Sequence, residues 1–235
     1  MRSLLSLATK YQVDGIRRRI VEFVKEDWPQ DLEEWHLFRA QFDSRLNFSH
    51  VAMQGEFSNA AEDYFPEPAS ALRLAIDFGI TSILPAAYYR LAISSVQLQR
   101  GEDFDGQGQM SARWDLLERT DWLRLTRGKE LLFIAAEDLH AKLSQWVHVS
   151  QCKHQKCTNA ADDPEHVFGW MLDAEFARKP DLLAKIFESL EGVMETTLCM
   201  GCSYQVEEEL RKVLADTWDN LPDIFDLRSD THATL

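Results

Sequence analysis

The stretch Leu182-Leu183-Ala184-Lys185-Ile186-Phe187-Glu188-Ser189-Leu190-Glu191-Gly192-Val193 decides the fold class. Leu182, Leu183, Ile186, Leu190 and Val193 recur at the intervals of one helix face, with Lys185, Glu188 and Glu191 between them. A helix is therefore expected over 181–196. The same period continues downstream in Val206, Leu210, Val213, Leu214 and Trp218, which predicts a helix over 204–218. Upstream, Leu131, Leu132, Ile134, Ala135, Leu139, Leu143 and Trp146 predict a long helix over 127–149, preceded by a shorter one over 114–122. Val167 and Met171 support another over 164–178.

The N-terminal half reads the same way. Leu4, Leu7, Ala8 and Tyr11 share one helix face, and Ile16, Ile20, Phe23 and Val24 share a second. Trp28-Pro29 ends that segment, because the residue before proline is pushed out of the α region. Asp31 is placed to cap the next helix, with Glu33 and Glu34 in its first turn and Leu32, Trp35, Phe38 and Phe42 on its apolar side. Residues 69–78 form a helix closed by Gly79. Thr81 or Ser82 then caps a helix reaching Ser94, with Pro85 in its first turn. No run shows two-residue alternation and no repeat of fixed period is present. The expected fold is all-α: an irregular multi-helix array.

Two stretches lack a period. Residues 47–68 contain Gly55, Asn59, Pro66 and Pro68 and read as a loop or irregular insert. Its aromatics Phe48, Phe57, Tyr64 and Phe65 suit packing better than peptide binding. Residues 101–112 read as an acidic, glycine-bearing linker. Glu102, Asp103 and Asp105 there do not match the calcium-loop pattern. The expected organisation is 1–28, two boundary helices; 29–100, a helical N-terminal half; 101–112, the linker; 113–228, a helical C-terminal half; and 229–235, a disordered tail.

Charge narrows the function classes. In 235 residues, 39 acids against 25 bases give a net charge of −14. Such a surface favours solubility and repels phosphate backbones and anionic lipid headgroups, so neither nucleic acid nor membrane is an expected partner. Arg17-Arg18-Arg19 point in three directions on a helix and read as a solvated face with local ion pairs. No apolar run approaches the roughly 18 residues of a membrane span. The first residues fail as a signal peptide because Lys10, Gln12 and Asp14 interrupt them. The expected location is intracellular, in cytoplasm or nucleus, where thiols stay reduced.

The four cysteines fall in two pairs. Cys152 and Cys157 enclose Lys153-His154-Gln155-Lys156, and Cys199 and Cys202 enclose Met200-Gly201. A tetrahedral zinc takes four ligands, commonly as two close pairs from separate segments. Gly201 would let the backbone turn tightly between the second pair. Both pairs fall at expected helix ends, so a structural zinc there would join helix ends. The leading reading is Cys152, Cys157, Cys199 and Cys202 as zinc ligands, with His154 able to replace one cysteine. Inert buried thiols and a redox-active Cys199/Cys202 pair remain alternatives. His148 and His166 lie nearby in sequence and read as solvated or hydrogen-bonded residues. Four cysteines would close a zinc site to substrate. The phosphate-cradling G-x-x-x-x-G-K-[ST], the nucleophile elbow G-x-S-x-G and the zinc-protease H-E-x-x-H are all absent. Acids such as Glu207, Glu208 and Glu209 lie on amphipathic helices. A non-enzymatic chain is expected.

Four segments taken in order carry a family resemblance. They are Leu4 to Asp14 with Arg17, Arg18 and Arg19; Glu67 to Ala75 running into Ile83-Leu84-Pro85-Ala86-Ala87-Tyr88-Tyr89-Arg90-Leu91; Arg127-Gly128-Lys129-Glu130-Leu131; and the cysteine pairs with Trp218 and Leu221-Pro222-Asp223-Ile224-Phe225-Asp226-Leu227. Together they resemble the helical region that follows the BTB/POZ domain in fungal, basidiomycete-type BTB-domain proteins. In that group, text similar to 1–28 forms the boundary helices, and cysteines stand where the two pairs stand here. By that resemblance the BTB domain is expected to be missing from the sequence as given, and with it the surfaces for dimerisation and for recruiting cullin ubiquitin ligases. The resemblance implies a non-enzymatic protein–protein interaction module with a protein partner. A redox-active CxxC protein, or a remnant without independent function, are the alternatives.

Overall fold

A computed structural model describes residues 2–52, 66–94, 96, 112–149, 152, 154, 157, 181–193 and 198–228. Among them the chain is all-α, with no strand. The helices are α1 (Arg2–Lys10), α2 (Asp14–Glu26), α3 (Leu32–Ala52), α4 (Pro68–Phe78), α5 (Leu84–Ile93), α6 (Arg119–Val149), α7 (Leu182–Val193), α8 (Met200–Asp219) and the one-turn α9 (Leu221–Ile224). Short 3-10 turns, Thr81–Ile83 and Trp114–Leu116, precede α5 and α6. The chain divides into two compact units, 1–125 with 225–235, and 126–224. The expected helix over 164–178, the linker 101–111 and the tail 229–235 lie outside the described residues.

The first unit is organised around α5. Leu84, Ala86, Ala87, Tyr88, Tyr89, Arg90, Leu91 and Ala92 are all buried. A helix apolar nearly all round is stable only when surrounded. Helix α4 packs along it, and Trp35 of α3 meets the Tyr89 ring edge-on at 5.1 Å. Phe225 returns to stack on Tyr88 at 5.4 Å. The one charge on α5, Arg90, is buried with its guanidinium 4.0 Å from the Phe42 ring centroid. That aromatic face replaces part of its lost hydration.

Local chemistry sets the helix ends. Pro68 occupies the first turn of α4, where its missing N–H costs nothing. Gly79 ends that helix in the left-handed region at φ 69°, which a Cβ would strain. The buried Glu67 carboxylate accepts from the amides of Ala69 (2.9 Å), Ser70 (2.7 Å) and Arg113 (2.9 Å). Asp31 caps α3 by accepting from the Glu34 amide at 2.8 Å, and Glu34 reaches back to the Gln30 amide at 2.8 Å.

Several sequence expectations need correction. The period through Phe42 does not stop at Asn47, because α3 runs on to Ala52; residues 53–65 lie outside the described ones. Neither Thr81 nor Ser82 caps α5. They form a 3-10 turn, and α5 begins after Ile83 with no side-chain cap. The helices expected over 114–122 and 127–149 are one helix from Arg119, because the spacing of buried Leu125, Leu132, Ala136 and Leu139 carries a single face through Gly128. Of the arginine triplet, Arg17 donates to the Phe78 carbonyl at 3.1 Å, at the end of α4. Arg18 and Arg19 face solvent.

In the second unit, α7 and α8 pack on each other. Leu182, Leu183, Ile186 and Val193 are buried on α7, and Val206, Leu210, Leu214 and Trp218 on α8. Asp181 caps α7 by accepting from the Ala184 amide at 3.1 Å.

One carboxylate in the first unit carries unusual weight. Asp121 is 1% exposed and accepts from Arg73 (3.0 Å), the Tyr88 hydroxyl (3.0 Å) and the Glu118 amide (2.9 Å). Burial, then the Asp121 charge, pushes the Tyr88 hydroxyl well above its ordinary value, so it stays a donor. Asp121→Ala takes the acceptor from the buried Tyr88 hydroxyl and one carboxylate partner from Arg73, which keeps Glu118 at 2.9 Å. We expect a loss of about 3 kcal/mol in urea-unfolding stability; a loss under about 1 kcal/mol would show that the network is dispensable.

Candidate metal centre

Four sulfurs from two distant segments converge in the second unit. The ligand atoms of Cys152, Cys157, Cys199 and Cys202 all lie within 4.8 Å of one another. Cys152 Sγ and Cys199 Sγ are 3.5 Å apart. That is too far for a disulfide bond of about 2.05 Å, and all four cysteines are free thiols.

Each segment is shaped to present its pair. Beyond the end of α6, the Cys157 amide donates to the His154 carbonyl at 2.9 Å, which fixes the backbone at Cys157. Cys199 is the N-cap of α8, in extended conformation, with Cys202 in the first helical turn. Residues three apart on a helix share a face, which is how these two sulfurs meet. Gly201 therefore does not supply a tight turn as expected. It is an ordinary helical residue with open space where a Cβ would sit.

The two pairs are also tied by backbone. The Cys199 amide donates to Cys157 Sγ at 3.1 Å; within the second pair's own helix, the Ser203 amide donates to the Cys199 carbonyl at 2.9 Å. An N–H directed at a sulfur is the kind of outer contact that stabilises a thiolate ligand. Cys157 and Cys202 are buried, whereas Cys152 and Cys199 are half-buried.

The thiols differ in acidity. Cys199 is lowered to about 6. The largest cause is the Cys202 backbone amide at the open end of α8, followed by the Cys152 thiol. The amide acts through proximity, since its geometry falls short of a full capping hydrogen bond. Cys157 moves the other way, because burial disfavours its charged form.

The geometry suits a tetrahedral ion. Four sulfurs at about 2.3 Å from zinc stand about 3.8 Å from each other. The widest sulfur separation in the tetrad exceeds that by no more than about an ångström. Cys152, Cys157, Cys199 and Cys202 are thus all brought together as the sequence spacing suggested. His154 contributes its carbonyl to the turn, and its ring is exposed and outside the tetrad. The side chain of His148, and all of His166, lie outside the described residues. The feature that sequence reasoning missed is the amide of Cys199 on Cys157. A cysteine preceding a helical run was the available signal.

No family model, curated protein or solved structure matches the chain.

Metal binding here should weaken as pH falls. An ion must displace the proton of Cys157, whose value is raised, whereas Cys199 is largely thiolate at neutral pH already. Cobalt(II) titration followed by thiolate-to-metal charge-transfer absorption should give tighter binding at about pH 8 than at about pH 6. Affinity unchanged between the two would contradict thiolate ligation.

Proposed function

We propose that this chain is a non-enzymatic, helical protein–protein interaction module whose second unit is closed by one structural zinc ion. The observation that carries the reading is the sulfur tetrad within 4.8 Å. A four-thiolate site fills every tetrahedral position and leaves none for water or substrate, so such an ion holds the fold together without doing chemistry. The resemblance of the segment order to the post-BTB region of fungal BTB-domain proteins supports a role in binding. So does the lack of catalytic motifs in the sequence. Among the described residues, no helix is long and apolar enough to cross a membrane, which fits partners met in water.

A second reading has an observation in its favour. Cys199, lowered to about 6 at the start of α8, with Cys202 three residues on, is the arrangement of a redox pair. Two further sulfurs weigh against it. Cys152 lies 3.5 Å from Cys199, and Cys157 takes the Cys199 amide. Neither has a role in a two-cysteine cycle, whereas both are required in a four-ligand site.

The experiment is elemental analysis of the full chain purified without a metal-chelating tag. The reading expects one zinc per chain, loss of helicity on chelation, and alkylation of all four thiols only after chelation. Metal-free protein that is well folded, with Cys199 alkylated fast and alone, would replace it with the redox reading.

A further inference from the structure

Leu4, Leu7 and Tyr11 stand three and four residues apart, and Val13, Ile16, Ile20 and Phe23 repeat that alternation. It is the heptad spacing of a seam through which one helix packs on another. Such seams face a partner. Here Leu4, Leu7, Tyr11, Ile16 and Phe23 are each more than half exposed, and Val13 is 40% exposed. The inward contacts of α1 and α2 are made by different residues, Leu5, Ala8 and Val24. Beside its exposed stripe, α1 therefore buries Leu5 and Ala8, and α2 buries Val24. Six of the twelve large exposed hydrophobics among the described residues belong to this segment, so the stripe is a cluster and not scatter.

The open flank of each stripe carries one cation. On the side away from the buried residues, Lys10 precedes Tyr11 and Arg19 precedes Ile20, with Glu26 at the far end. Arg2–Glu26 holds six basic residues (Arg2, Lys10, Arg17, Arg18, Arg19, Lys25) and three acidic ones (Asp14, Glu22, Glu26), in a chain of net charge −14. This segment thus inverts the sign of the rest.

We propose that the exposed seam of α1 and α2 receives an amphipathic helix with acidic flanks from another protein. Apolar residues at three- and four-residue spacing ask for a helix, and Lys10 and Arg19 ask for carboxylates beside its apolar stripe. A second copy of this chain fits less well. In the antiparallel register that overlaps the whole α2 seam, Arg19 would meet the second copy's Arg19. An anionic bilayer is repelled by the charge of the remaining surface. The inference rests on the reading of the chain as an interaction module, but not on zinc: the seam lies in the first unit and the cysteines in the second.

The test uses the full chain and two synthetic helical peptides with leucines at heptad spacing, one flanked by glutamates and one by lysines. Fluorescence anisotropy should show the glutamate peptide binding at least about tenfold more tightly than the lysine peptide. Ile16→Asp should weaken it at least about tenfold, with the circular-dichroism spectrum unchanged because Ile16 is exposed. Lys10→Glu with Arg19→Glu should reverse the order of the two peptides. No binding of either peptide, equal binding of both, or indifference to Ile16→Asp would overturn the proposal. So would a concentration-dependent dimer, or binding to phosphatidylserine vesicles, that Ile16→Asp abolishes. Zinc content measured on the same samples separates failure of this surface from failure of the metal reading.

Discussion

The convergence of four sulfurs at one point is the constraint on which the path of the second unit depends. The two cysteine pairs are far apart in sequence, and closing so long a loop costs conformational entropy. Four thiols in weak contact offset little of that cost. A bound zinc offers apparent binding free energy on the order of 10 kcal/mol, as large as the whole stability of an ordinary domain at about 5–15 kcal/mol. The contacts around the tetrad make sense on that scale. The N-terminus of α8 provides an electropositive end for anionic sulfur, and the Cys199 amide points at Cys157 Sγ.

The first unit is held differently. Its centre is a helix without a polar face, enclosed by aromatic side chains. Its buried charges are few and individually compensated. Glu67 is met by three amides, Arg90 by an aromatic face, and Asp121 by Arg73, Tyr88 and an amide. These contacts link α4, α5 and the start of α6 through specific partners, so they fix which helices are neighbours as well as how tightly they pack. On the outward seam of α1 and α2, Leu4, Leu7, Tyr11, Ile16 and Phe23 remain more than half in water and Ile20 is half-buried.

Much of this was legible in the sequence where one residue sufficed to set a local outcome. Asp31 and Gly79 mark helix ends by their own chemistry, and in 84–93, 182–193 and 200–219 the apolar period marks faces that become buried. The cysteine tetrad was legible because close spacing announces chelation without any knowledge of the fold. What escaped depended on partners distant in sequence. Asp121 looks like an ordinary acid in a first helical turn, and only folding brings Arg73 and Tyr88 to it from 48 and 33 residues away. The helices expected over 114–122 and 127–149 are continuous from Arg119, with Gly128 inside. The α6 stripe absorbs that glycine at a cost of about 1 kcal/mol. Period alone could not tell the seam Ile16–Phe23 from a buried face, since buried Val24 continues the same apolar spacing.

X-ray absorption at the zinc edge on the purified full chain tests the account most directly, because it counts the ligands and identifies their element. The account predicts a single shell of four sulfurs at about 2.3 Å. A shell containing nitrogen or oxygen ligands in place of any sulfur, or protein that carries no zinc at all, would contradict it.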